Sequence, residues 1–205
     1  MNGAEAVLAT LADSGVDACF ANPGTSEMQL VAAFDREPRV RPVLCLFEGV
    51  ATGAADGYGR IAGKPAATLL HLGPGLSNGS ANLHNARRAA SPVVNLVGDH
   101  ARAHAVNDAP LASDIESLSR PVSVWTRRAV SADDAALAAA EAVAASLAPR
   151  PGPATVILPA DCAWSEAAGP AAPAAPLRPR PAPGARVEAV AAALRSAASP
   201  VLLLG

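Results

Sequence analysis

Long apolar runs are missing from this 205-residue sequence, and so is any excess of basic charge. No stretch of 18 residues is continuously apolar, which excludes a membrane-spanning helix, although mean hydropathy is +0.24. The hydrophobic fraction of 51% is inflated by 51 alanines, so the large side chains that build a core are scarce and aromatics make up only 3%. Lys and Arg total 16 against 18 Asp and Glu, a net charge of −2, which leaves nothing to match a phosphate backbone and argues against nucleic-acid binding. Cysteine is nearly absent too. Cys19, Cys45 and Cys162 lie far apart with no CxxC and no paired Cys/His spacing, which excludes a structural zinc site or a disulfide scaffold and fits reduced core thiols. Residues 1–5 lack the basic segment and apolar stretch of a secretory signal. The expectation is a soluble, cytoplasmic protein with no membrane or nucleic-acid partner.

What is present is an alternation of short apolar runs with longer Ala-rich stretches of helical spacing. The pattern predicts helices over 3–14, 25–35, 48–62, 77–90 and 132–148. Strands are expected over 17–21, 42–47, 66–71, 92–98, 122–125 and 154–159, with a turn at Gly73-Pro74-Gly75. Strands that are apolar throughout, joined by helices, belong in a parallel sheet covered on both faces, so the expected fold class is α/β, a doubly wound parallel sheet with helices on both faces. Ten of the 19 prolines fall between Pro149 and Pro183. Residues 1–165 are therefore read as one domain, 166–185 as a Pro/Ala-rich linker, and 186–205 as the beginning of a truncated central domain, a helix over 186–198 followed by a strand. A parallel strand without neighbours exposes its edge groups, so a longer protein is expected.

In such a sheet ligands bind outside the carboxyl ends of the strands, and four positions there carry polar groups: Asn22-Pro23-Gly24-Thr25-Ser26, Glu48, His71 and Gly98-Asp99-His100. Glu48 opens a helix whose residues Gly49, Gly53, Gly57 and Gly59 are unusually small. A glutamate in a first turn can simply complement the helix dipole, but glycine weakens a helix and implies close approach of another backbone, subunit or ligand. His71 taken alone reads as a core histidine bonded to a carbonyl. Asp99, His100, His104 and Asp108 are spaced too irregularly for a metal site and read as solvated loop residues, so no metal ligand is expected. His84, Arg87 and Arg88 form the polar face of a helix.

Together, Asn22-Pro23-Gly24-Thr25, the run from Phe47 through Glu48 to Arg60, Gly63-Lys64-Pro65 and the run Leu70-His71 to Ser77-Asn78 resemble the N-terminal, pyrimidine-binding domain of thiamine-diphosphate enzymes of the acetolactate synthase and benzoylformate decarboxylase group. The resemblance spans roughly residues 1–165. It implies that Glu48 hydrogen-bonds the aminopyrimidine N1′ of the cofactor and favours the imino tautomer that removes the thiazolium C2 proton. It implies cofactor contacts for Pro23, Gly24 and Asn78, and substrate contacts for Thr25 and His71, with His71 also moving protons. The implied reaction is decarboxylation of a small 2-oxo acid, carboligation, or both. His71 resembles the decarboxylase branch and Gly73-Pro74-Gly75 the synthases, so the two branches mix here.

The family holds diphosphate and Mg2+ in a C-terminal domain with a Gly-Asp-Gly that this chain lacks, since His100 follows Gly98-Asp99. The chain alone is therefore expected not to hold thiamine diphosphate, and FAD stays open as a further cofactor of the whole protein. The resemblance further implies a homo-oligomer, dimer or tetramer, with the active site between subunits, and the small-residue face of the Glu48 helix suits such an interface. The competing reading is a non-catalytic α/β binding or assembly module that kept the fold without the cofactor chemistry.

Overall fold

The computed structural model describes residues 1–177 and 179–203. In chain order the elements are α1 (Gly3–Asp13), β1 (Ala18–Asn22), α2 (Met28–Ala33), β2 (Arg41–Leu44), α3 (Glu48–Ala62), β3 (Ala66–Leu70), α4 (Leu72–Arg88), β4 (Val93–Asp99), α5 (Ile115–Ser119), β5 (Trp125–Arg128), α6 (Ala132–Ser146), β6 (Pro153–Pro159), α7 (Ala160–Trp164) and α8 (Gly184–Ser196). All six strands are parallel and lie in the order β2-β1-β3-β4-β6-β5. After β2 the chain returns past β1 to add β3 on the other side. The carboxyl ends of β1 and β3 therefore flank the switch point, where the loops diverge and open a crevice.

Alternation along the strands sends neighbouring residues to opposite faces. Ala67 and Leu69 of β3, Val94 and Leu96 of β4 and Val156 of β6 pack with the alanines of α6 and with Val7, Leu8 and Leu11 of α1. Ala66 and Leu70, Val93 and Val97, and Ile157 pack on the other side against α3, α4 and Ile115. Few large residues are needed because the helices approach closely. The Asn2 side chain starts α1 by accepting from Glu5 N at 2.9 Å, while Glu5 returns a bond to Asn2 N at 3.1 Å, a reciprocal cap that satisfies two donors of the first turn. A string of polar side chains crosses the second face. Thr68 Oγ1 donates to Asn95 Oδ1 (2.8 Å), Asn95 Nδ2 to Thr155 Oγ1 (3.0 Å), and Thr155 pairs with Ser123 at 2.8 Å.

Three expectations are corrected. Gly73-Pro74-Gly75 is no turn but the first turn of α4, which begins at Leu72. Proline is tolerated there because the first turn needs no N–H from it. The fifth strand runs over Trp125–Arg128 and not over 122–125. Residues 200–203 form no strand, while Leu204 and Gly205 lie outside the described residues. The Pro-rich stretch also starts as part of the fold: Ala167 is buried among Ala6, Ala132 and Ala136, and Ala171 N donates to Thr10 Oγ1 at 2.9 Å. Farther on, α8 buries none of its residues. No helix among the described residues is long and apolar enough to cross a membrane.

Candidate active site at the switch point

The residues singled out in the sequence gather at the carboxyl end of the sheet. β1 delivers Pro23, Gly24 and Thr25, β3 delivers His71, and α3 begins at Glu48 just beyond β2. Asn22 ties two of these ends together, donating from Nδ2 to Cys45 O at 2.8 Å. Glu48 is half-buried, and its Oε2 accepts from Asn78 Nδ2 at 3.0 Å, which joins the start of α3 to the second turn of α4. Gly75 lies between the candidates: a Cβ there would sit 3.4 Å from Glu48 Oε1 and 3.6 Å from His71 Cβ. Thr25 is exposed and lines a cavity of about 340 Å³ with Ser26, His100, His104 and Trp164. The larger groove of about 770 Å³ lies at the amino ends of β5 and β6, beside Trp125, and holds none of these residues.

His71 is not the core histidine that its place in the sequence suggests. Its Nδ1 lies 2.7 Å from Glu27 Oε2, and Glu27 is fully buried. Burial raises the Glu27 carboxyl above its usual range, against the pull of the Gly24 N–H and of His71. Sequence reasoning passed over Glu27 because an acid three residues after Gly24 is what caps a short turn, and it does accept from Gly24 N at 2.7 Å. The available signal was its place, the first turn after the switch-point strand.

Other candidates separate from this group. Asp99 is not a solvated loop residue but the last residue of β4, buried and paired with Arg128. Arg128 also reaches Glu116 at 2.5 Å. His104 and Asp108 are exposed, as expected, and His84, Arg87 and Arg88 line the exposed face of α4. Among the described residues no three His, Cys, Asp or Glu side chains converge on a point that could hold a metal.

The glycine face of α3 is occupied within the chain. Asn82 Nδ2 donates to Gly49 O at 2.6 Å, Thr52 Oγ1 to Gly79 O at 3.0 Å, and a Cβ at Gly59 would lie 2.6 Å from Pro92 O. Of the small residues expected to receive a second subunit, Gly49, Gly53 and Gly59 thus receive α4 and the residue before β4. The side of α3 that stays open carries Val50, Gly57 and Ile61.

Residues 1–118 match the family described as thiamine pyrophosphate enzyme, N-terminal TPP binding domain. The chain belongs to this family. Among its relatives, the acetolactate synthase large-subunit-like protein IlvX of Mycobacterium tuberculosis is 58% identical over 207 residues, covering 100% of this chain and 39% of that protein. The benzoylformate decarboxylase of Pseudomonas aeruginosa is 35% identical over 138 residues, covering 66% of this chain and 26% of its own length. The solved thiamine diphosphate-dependent 4-hydroxybenzoylformate decarboxylase of Rhodococcus jostii superposes with a TM-score of 0.82 at 26% identity, covering 98% of this chain and 38% of that one. The chain thus spans well under half the length of these relatives. Membership of a thiamine pyrophosphate enzyme family does not favour the reading as a non-catalytic module.

Proposed function

We propose that this chain is the pyrimidine-binding part of a thiamine-diphosphate-dependent enzyme that decarboxylates or ligates small 2-oxo acids, with Glu48 as the acid that engages the cofactor's ring. One observation carries the assignment. Glu48 is fixed through Oε2 by Asn78, while Oε1 bonds no group among the described residues and borders the space left by Gly75. A carboxyl held this way, beside the exposed apolar residues Leu46 and Phe47, fits a flat heteroaromatic ring that offers a nitrogen to hydrogen-bond. A side chain at position 75 would take part of that space.

When bound, the cofactor supplies the carbanion chemistry that 2-oxo acid decarboxylation needs. Glu48 holds and exchanges a proton at Oε1, Asn78 keeps its carboxyl in place, and Pro23 and Gly24 form the wall on the β1 side. Thr25 and His71, which follow β1 and β3, orient the substrate's acid group in this reading, and His71 moves protons. Diphosphate and Mg2+ are held by a part of the protein outside this chain. The exposed apolar residues Leu44, Leu46, Val50 and Ile61 suit contact with a second subunit, so the enzyme is a homo-oligomer.

The test is Glu48→Gln in the whole protein, which keeps the shape and removes the exchangeable proton. The fold stays, and turnover falls by roughly 10²–10⁴-fold, the range for losing a positioned acid or base. Parent turnover in the variant would overturn the assignment.

A further inference from the structure

Glu27 has no exposed surface, yet only one of its two oxygens is used. Oε2 takes both the Gly24 N–H and His71 Nδ1, each at 2.7 Å. Oε1 is buried without a partner and lies against Gly98 of β4, where a Cβ would come within 1.6 Å of it. Space is cleared on the other flank as well, since a Cβ on Gly24 would sit 2.4 Å from His71 Nδ1. Two glycines on two strand ends therefore make room for one acid–imidazole pair whose members are 44 residues apart in sequence. A turn cap needs neither glycine nor a histidine, and it is normally left at the surface, where its desolvation costs little.

We propose that Glu27 and His71 work as one proton-holding unit, in which the gap between Oε2 and Nδ1 always contains a proton and His71 Nε2 is the atom that gains or loses one. In the proton-poor form Glu27 is a carboxylate accepting from Nδ1–H, and Nε2 carries a lone pair. Adding one proton at Nε2 gives an imidazolium beside the carboxylate. Shifting the gap proton to Oε2 turns this into a neutral Nε2–H imidazole beside a carboxylic acid. Both proton-rich forms hold the same number of protons, and both present Nε2–H. Burial of Glu27 favours the second of them.

The ionisable groups on the neighbouring strand ends are Asp99, His100 and Glu48, and His100 Nε2 is buried without a partner of its own among the described residues. Asp99, next along β4, is engaged by Arg128, and Glu48 is joined to Asn78 across the space at Gly75. His71 Nε2 has no partner among the described residues, so it is the nitrogen left to meet a ligand. Glu27 is thus a positioning residue: it fixes the tautomer and aim of His71 as an outer carboxylate does for a metal-bound histidine. The inference deepens the role proposed for His71, but the tautomer belongs to this chain whether or not that role holds.

The experiment is imidazole 15N NMR of the uniformly labelled 205-residue chain from pH 5 to 9, with the His71 signals assigned by their loss in His71→Gln. At the alkaline end Nδ1 is expected to show the shift of a protonated ring nitrogen and Nε2 that of an unprotonated one. Glu27→Gln should return much of the population to the Nε2–H tautomer. An Nε2–H tautomer in the parent chain at pH 9 overturns the proposal, as does a tautomer unaltered by Glu27→Gln. Should that variant fail to fold, the parent spectrum alone decides. Turnover unaffected by His71→Ala in the whole protein would instead remove the catalytic role of His71 and leave the pair standing.

Discussion

Glu27 carries a stability signature with a definite sign. Burial raises its carboxyl above the usual 4.5, so the folded chain prefers the proton more than the unfolded chain does. The resulting stabilisation is complete below pH 4.5 and is lost as pH rises through the folded value. Urea unfolding of the parent and of Glu27→Gln between pH 4.5 and 8 should therefore show the parent losing stability relative to the variant as pH rises. Parallel pH dependences would mean that Glu27 ionises as freely in the fold as outside it. The cysteines make a second case. Burial pushes Cys19 and Cys45 upward and takes Cys162 to about 11, so little thiolate forms near neutrality. A thiol reagent at pH 8 should leave all three unlabelled in the folded chain and label them after denaturation, and rapid native labelling of any one would contradict its burial.

Strands β3, β4 and β6 are bound by more than their backbones, because Thr68, Asn95 and Thr155 sit on register partners and bond in sequence. Asn95→Ala leaves the buried Thr68 hydroxyl without its acceptor while Thr155 keeps Ser123, at about 1–3 kcal/mol for the group left unpaired. It should lower the urea midpoint with an unchanged slope, and a variant within 0.5 kcal/mol of the parent, the usual range for neutral surface changes, would show that the string contributes nothing. This string could not be read beforehand, since three isolated polar residues in apolar runs say nothing about register. Most of the strands were legible, because nearly continuous apolar runs such as residues 92–98 need burial on both sides, and so was the place of Glu48 at the start of α3. Gly73-Pro74-Gly75 misled for a local reason. Its residues are the usual vocabulary of turns, whereas here their small size serves contacts with Ser113, Glu48 and His71, which only the assembled fold brings near. For Glu27 the place after β1 was legible, but nothing in residues 22–27 announces a partner at position 71.

At the scale of the molecule, the proposed site at the switch point gathers Glu48, Asn78 and His71 with, among the described residues, no basic side chain bonded to them but the imidazole itself, while the acid at the end of β4 is already neutralised by Arg128. Charge-assisted contacts to a diphosphate are the strong ones, so this chain should bind thiamine diphosphate no more tightly than unphosphorylated thiamine, with or without magnesium. Calorimetric titration of both compounds reads this directly, and tight magnesium-dependent binding would point to a diphosphate site near Gly98. The pinned start of the Pro-rich stretch has a different consequence, for proteases. With Ala167 buried and Ala171 bonded to Thr10, the stretch is held against the fold at its start, and Ala174, Ala175 and Leu177 line the groove beside Trp125. Arg150, Arg178 and Arg180 each precede a proline, and trypsin does not cut there. The Pro-rich stretch is thus closed to trypsin at these arginines and open to elastase at the bonds entering its exposed alanines Ala172 and Ala175, and the two enzymes should release different amino-terminal bodies from the same protein.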